Sequence, residues 1–328
     1  IVEKMSSVKT SKIITLDSRF RDDLAVNTNN FMISFTEKFK NVVRLEILDI
    51  FNPNTLKYVS DSMENNHFIL EIDGMREIIY FPDIQIQGFS EISFTKICLI
   101  YKELKRRLND IGGFFSRITL LPEDLIDYRD GIETGDTSEI PITGDIMTGR
   151  MVLHFNTDGL APNQYPNNIT LDFSKTKTDM DDPTDLRKKL GYILGFRKTF
   201  YEFDNIPSDG KIIFSESLVQ YNSIRYAYIV LDDFQSNGYD NVYASDITYS
   251  GCKKVAATSG KIIAKLDYSR DSNGSGDDRL QDTKAIRNYH GRVDLNRFKV
   301  SLIDEFGRQL DIQNGDWSVS ITIDQEQY

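Results

Sequence analysis

The chain has 328 residues, 40% of them hydrophobic and 27% charged, enough to bury one large core or two modest ones, which excludes a mainly disordered protein. Its 39 Lys and Arg against 50 Asp and Glu leave a net charge of −11, so a phosphate backbone is repelled and no nucleic acid is expected as a partner. No uncharged apolar stretch approaches the roughly 18 residues of a membrane span, and IVEKMSSVKTSK lacks the apolar centre of a signal peptide, so a soluble chain with no membrane span is expected.

Residues 1–11 are small and polar, with Ser6, Ser7, Lys4 and Lys9, and are expected to form a flexible N-terminal arm. From Lys12 onward, apolar and polar residues alternate in short runs, the signature of strands with one buried face. Phe31, Ile33 and Phe35 form the first set, Val43, Leu45 and Ile47 the second, and Phe68, Leu70 and Ile72 the third. Ile169, Leu171 and Phe173 follow, then Phe298, Val300 and Leu302, and last Trp317, Val319, Ile321 and Ile323. Residues 13–16, 77–81, 117–121, 150–155, 211–214, 226–231 and 261–266 are further strand candidates.

Two segments break the alternation. Between Ser90 and Gly112, the residues Ile97, Ile100, Leu104, Leu108 and Ile111 fall at helical spacing, with Lys102, Glu103, Lys105 and Arg106 opposite and Gly112-Gly113 as a stop. A second, short helix is expected from Asp182-Pro183 through Leu186 and Leu190 to about Gly195. Long surface loops are expected at 122–149, 158–168 and 267–282. Near the C-terminus, Leu302 to Arg308 reads as a hairpin with Gly307 at its turn, and Asn314-Gly315-Asp316 as a second turn.

The expected fold class is all-β: an antiparallel jelly-roll-type β-sandwich with one or two accessory helices and long loops. It would occupy residues 12–328, with a helical insertion near 92–112. Neither repeat nor linker marks a second domain, and two packed β-domains remain open.

The residues offer little for catalysis. His67, His154 and His290 are scattered, with no second ligand at zinc spacing. Cys98 and Cys252 lie far apart in apolar or mixed segments and read as buried thiols, a usage that suits a reducing cytoplasm. There is no nucleophile elbow and no glycine-rich phosphate loop. Asp181-Asp182, Asp232-Asp233 and Asp277-Asp278 invite a glycosidase reading, yet adjacent acids on a strand point to opposite faces and cannot oppose each other across a bond. DSNGSGDDRLQD places Asp271, Asn273, Ser275, Gly276 and Asp282 near the spacing of an EF-hand loop. It ends on Asp, puts Asp278 at the usually apolar eighth place and has no flanking helices, so it reads as a solvated turn. Lys102, Lys105, Arg106 and Arg107 read as the solvated face of a helix or a docking surface for an acidic neighbour. No catalytic, cofactor-binding or metal-binding residue is assigned, no cofactor is expected, and the protein is not expected to be an enzyme.

Several segments in order resemble virion proteins shared by nucleocytoplasmic large DNA viruses. They are ITLDSRFRDD from Ile14, NNFMISF from Asn29, NVVRLEILDIFNPNT from Asn41 and NNHFILEIDG from Asn65. LGYILGF from Leu190, YAYIVLDDF from Tyr226, KIIAKLDY from Lys261 and the closing forty residues from Tyr289 continue the series. One departure is FPDIQIQGFSEISFTKI from Phe81, where a short turn leading straight into a helix would be expected. The resemblance implies a jelly-roll minor capsid or vertex (penton-type) protein of a giant virus. The function it implies is a structural virion protein, located in the virion capsid and assembled in the host cytoplasm. Its partners would be the major capsid protein, copies of itself or other minor capsid proteins. The alternative is a carbohydrate- or receptor-binding β-sandwich module on the virion surface, with Tyr239, Tyr243 and Tyr249 as stacking platforms.

Overall fold

A computed structural model describes residues 8–51, 56–86, 94–134, 149–219, 226–235, 238–239, 244–249, 252–257, 261–267 and 285–327. In chain order the first strands are β1 (Val8–Asp17), β2 (Asn30–Phe51), β3 (Leu56–Val59), β4 (His67–Ile72), β5 (Met75–Tyr80) and β6 (Ile84–Ile86). Helix α1 (Phe94–Ile111), β7 (Ile118–Pro122), α2 (Arg129–Thr134), β8 (Arg150–Phe155), β9 (Ile169–Asp172) and α3 (Leu190–Ile193) follow. The remainder are β10 (Phe200–Phe203), β11 (Lys211–Leu218), β12 (Tyr226–Asp232), β13 (Gly238–Tyr239) and β14 (Ala244–Tyr249), then β15 (Cys252–Ala257), β16 (Ile262–Asp267), β17 (Ile286–Ile303) and β18 (Ser318–Gln327). The fold is mostly antiparallel β with few helices.

The chain divides into two compact units. Unit 1 comprises residues 1–57, 86–90 and 224–328, and unit 2 comprises 58–85 and 91–223.

Unit 1 is built on one antiparallel sheet in the order β1-β18-β2-β17-β12-β16, with β13 pairing to β17 and β14 pairing with β15 as a separate ribbon. Alternation explains it. Along β18, Val319, Ile321 and Ile323 are buried while their neighbours are half-buried, and β17 repeats this at Phe298, Val300 and Leu302. Register places Phe298 opposite Ile33 and Val300 opposite Phe31, so the inward faces of distant segments match. The other face carries polar pairs: Ser11 Oγ donates to Asp324 at 2.6 Å, and Arg44 pairs with Asp324 and Glu46.

Four expectations are corrected in unit 1. Residues 8–11 are not part of an arm, because Val8 to Ser11 pair with Gln327 to Asp324. The second apolar set slips phase. Asp324 faces Arg44 but Gln325 faces Val42, so Val43 is an extra, half-buried residue and Val42 takes the core position. The hairpin after β17 turns where expected, with Gly307 at φ +79 and Asp304 Oδ1 accepting from Phe306 N and Arg308 N, but its return arm shrinks to one bridge between Ile303 and Gln309. The second turn is centred on Gln313 and Asn314, both at positive φ, with Gly315 N donating to Ile312 O at 2.8 Å.

Unit 2 contains two antiparallel sheets, β10-β9-β4-β5 and β11-β8-β7. In β4 and β9 nearly every residue is buried, so Phe68, Leu70 and Ile72 mark only one of two covered faces. Helix α1 buries Cys98, Tyr101, Leu104 and Leu108, while Ile111 is exposed, which rotates the expected apolar face by about one residue at its start. Tyr101 explains the rotation: its ring meets Phe81 edge-on at 6.2 Å and its hydroxyl reaches Met151 Sδ at 3.4 Å.

The expected helix over 182–195 is instead a 3-10 turn at Leu186–Lys188 followed by the single turn α3, because Lys189 between them is extended at φ −104, ψ 160. Its cap is Asp185 rather than Asp182. Segment 190–196 fills the core through Leu190, Leu194 and Phe196, the last ring 5.1 Å from Phe173 and 5.1 Å from Tyr201. The loop expected at 122–149 is helical at its start, with a 3-10 segment at Glu123–Tyr128 and then α2, and residues 135–148 lie outside the described residues. The loop at 158–168 holds one 3-10 turn, Pro162–Gln164. The departure at Phe81 resolves into a buried Phe81 and strand β6 ahead of α1, with residues 87–93 outside the described residues.

Candidate functional site

Asp232 ends β12 and Asp233 follows it, and the structure sends the two acids to different partners. Lys261, just before β16, holds the Asp232 carboxylate, whereas Asp233 accepts from Arg287 Nη1 at 2.9 Å and from the Tyr289 hydroxyl, both on β17. Arg287 is 2% exposed, and it also donates to Leu231 O at 2.7 Å and to Lys261 O at 3.1 Å. One guanidinium thereby ties β17, β12 and the start of β16 together. Burial, and then the Asp233 charge, push the Tyr289 phenol well above its ordinary range. At Asp232 burial opposes ionisation, but the Lys261 ammonium and Phe234 N–H outweigh it and the carboxyl stays below the usual range.

Both carboxylates also fold the turn that follows. Asp232 Oδ1 accepts from Phe234 N at 2.7 Å and Asp233 Oδ1 from Gln235 N at 3.0 Å. The result is Phe234 at φ +60, a left-handed conformation that costs a bulky L-residue on the order of 1–2 kcal/mol. The residue is 42% exposed, with the Arg297 guanidinium carbon 4.1 Å and Lys261 Nζ 5.9 Å from its ring centroid. A strained aromatic held at the surface beside two cations suits the anchoring of a partner. Each acid is engaged by a cation, Asp232 by Lys261 and Asp233 by Arg287. Phe234, Arg287, Tyr289 and Arg297 escape a sequence reading; the one signal is an aromatic immediately after a doubled acid at a strand end.

A second surface feature lies on residues 8–51 of unit 1. Val8, Ile13, Phe20, Leu24, Phe51 and Leu48 are all exposed, so large apolar side chains face solvent along β1, the β1–β2 connection and the end of β2.

The remaining flagged residues do not converge. Asp181 pairs with Lys175 at 2.5 Å and Asp182 with Lys189 at 3.2 Å. His67 and His154 are buried in unit 2, His290 is exposed on β17, and Cys98 is a buried free thiol that burial pushes up. Among the described residues, no three of His, Cys, Asp and Glu are grouped to hold a metal, and no helix is long and apolar enough to cross a membrane. On α1, Lys105 Nζ donates to Ser116 O at 2.9 Å and Ile118 O at 3.1 Å, Arg106 pairs with Glu103 and Asp110, and Arg107 with Glu103. The hydrogen bonds of Arg106 and Arg107 hold Glu103 down at about 2. These bases are spent within unit 2. The loop 271–282, with Asp277 and Asp278, and Tyr243 lie outside the described residues, as do the side chains of Tyr239, Tyr249 and Cys252.

No protein-family model matches the chain, and no curated protein matches it. Among solved structures, it is similar to the mavirus penton protein at 10% identity and a TM-score of 0.38, over 98% of this chain and 100% of that one.

Proposed function

We propose that this chain is a structural virion protein, a minor capsid or vertex component of jelly-roll type from a nucleocytoplasmic large DNA virus. It works without catalysis, packing against the major capsid protein, copies of itself or other minor capsid proteins in a capsid assembled in the host cytoplasm. The observation that carries this reading is where the virion-like segments meet. Residues 14–23, 29–35 and 41–51 from one end of the chain and 289–327 from the other form adjacent strands β1, β18, β2 and β17 of a single sheet. Exposed apolar side chains on residues 8–51, with strained Phe234, supply adhesive surface on the same unit. Closed shells need such blocks because symmetry-related patches have to be tied at edges and five-fold points.

The test is the purified particle. Quantitative mass spectrometry should find the chain at a fixed ratio to the major capsid protein, and an image reconstruction should place it in the shell. Its absence from mature particles refutes the reading.

A further inference from the structure

Two histidines of unit 2 have no part in the reading above. His154 on β8 and His67 on β4 are both buried. Each ring faces the carbonyl of a neighbouring loop, His154 Nε2 lying 3.0 Å from Asp209 O and His67 Nε2 3.0 Å from Lys175 O. A carbonyl only accepts, so Nε2 carries the proton and Nδ1 is the bare nitrogen of a neutral imidazole. In both rings Nδ1 is buried without a hydrogen-bond partner among the described residues. A second proton would therefore create a buried cation whose new N–H meets no acceptor.

The neighbouring charges oppose that proton as well. Arg129 Nη1 of α2 stands 3.4 Å from His154 Nε2, and Arg129 is itself paired with Asp158 and Asp130. Across the sheet, Lys211 on β11 and uncharged Thr119 on β7 are in register with His154, and Lys211 Nζ faces Glu123 at 3.9 Å. Asp209 favours a charged ring, and its carboxylate accepts from Lys211 N at 3.3 Å. Around His67 stand Tyr80 in register on β5, Lys175 tied to Asp181, Lys177 tied to Asp61, and Lys189 tied to Asp182, the carboxylate that favours charge. Burial first, then these cations, hold both imidazoles below their ordinary 6.5. The loop over His154 sits directly on its ring: at Gly210, φ +69, a Cβ would lie 2.2 Å from Phe155 O and 2.9 Å from His154 Nε2.

We propose that unit 2 carries an acid-operated latch, in which protonation of His154 and His67 frees loops 204–210 and 174–185 from the strands they are fastened to. The neutral rings fasten the loops fully above the ordinary histidine value, and the hold weakens as pH falls below about 6.5, where the released form takes up the proton first. Carboxylates held low act in a different window. Glu103 and Asp185, both near 2, withdraw their support only below the ordinary carboxylate values of 4.5 and 3.8. A change between about pH 6.5 and about pH 5 therefore belongs to histidine. The latch lies within unit 2 and stands or falls independently of a capsid role.

Hydrogen–deuterium exchange on the full chain, corrected for intrinsic rates, tests this at about pH 7 and about pH 5. Amides of both loops should lose protection by about tenfold or more in acid while β17 and β18 hold theirs. In the double variant His67→Gln, His154→Gln, the amide still donates to the same carbonyls but takes no proton, so protection should persist at the lower pH. Equal protection of the native chain at both pH values overturns the proposal, as does an equal loss in the variant. Should the variant fail to fold, NMR titration of the native rings decides: two buried imidazoles that protonate at or above about 6.5 with the loops unmoved refute the latch.

Discussion

At the scale of single residues, Phe234 and Arg287 make opposite demands on stability. Phe234→Gly removes the left-handed strain of about 1–2 kcal/mol along with ring–cation contacts worth roughly 0.5–1 kcal/mol each. Urea denaturation should therefore place it within about 1 kcal/mol of the native chain. Its uptake into particles should fall by about tenfold or more if the ring anchors a neighbour. Loss of stability with normal uptake would make the ring a local packing element instead. Arg287→Ala leaves Asp233 and Tyr289 buried around an unpaired charge, and unfolding measurements should show a loss of about 3–5 kcal/mol. A loss under about 1 kcal/mol would mean that water reaches Asp233 and screens its charge. The opposed directions of Asp232 and Asp233 were legible from strand geometry alone. Their partners were not, because Lys261, Arg287 and Tyr289 lie 29 to 56 residues further along, and only the finished sheet brings them near.

Among elements, α1 separates a cation that ties it to the start of β7 from one that pairs within the helix itself. Lys105 reaches two carbonyls and Thr119 Oγ1 at the start of β7, and Lys105→Ala should cost about 1.5–3 kcal/mol by loss of charged hydrogen bonds. Arg106 is largely exposed and pairs within the helix, so Arg106→Ala should cost less than about 1 kcal/mol in the same thermal or urea melts. Equal effects would contradict the division. Helical spacing announced the helix but assigned its buried face by the aliphatic residues alone, and Tyr101 and Cys98 turned it. Strands were readable where one face meets water, as in β17 and β18. They were half readable in β4 and β9, buried on both sides, and misread at Val43, where the phase depends on a bulge set by the partner strand. Helix α2 hid in an acidic, glycine-bearing segment because Ile132 is the one large apolar residue within Arg129–Thr134, too little to show a helical period.

For the whole molecule, sequence marked no linker because there is no simple one. Unit 1 is discontinuous: the chain leaves it at residue 57, returns for residues 86–90 and comes back for good at 224, so a tandem-domain pattern never arises. What closes unit 1 is β18, which lies between β1 and β2 and pairs with both. Trp317 locks its start. The indole is buried, meets Phe31 edge-on at 5.6 Å and donates from Nε1 to Thr28 O at 2.6 Å, while Ser18 N and Trp317 O bond at 2.9 Å. Ending the chain at Asp316 would strand β1 without its neighbour and uncover Leu16, Leu45 and Ile47, each of which faces β18 residues. Exposing several fully buried aliphatic side chains forfeits about 1.5–3 kcal/mol apiece, against a total stability of about 5–15 kcal/mol for a typical domain. The truncated chain should thus appear in the insoluble fraction, or in solution with unit 1 lacking dispersed backbone amide signals. A soluble, cooperatively unfolding 1–316 would show that β18 is an addition to the sheet rather than the strand that completes it.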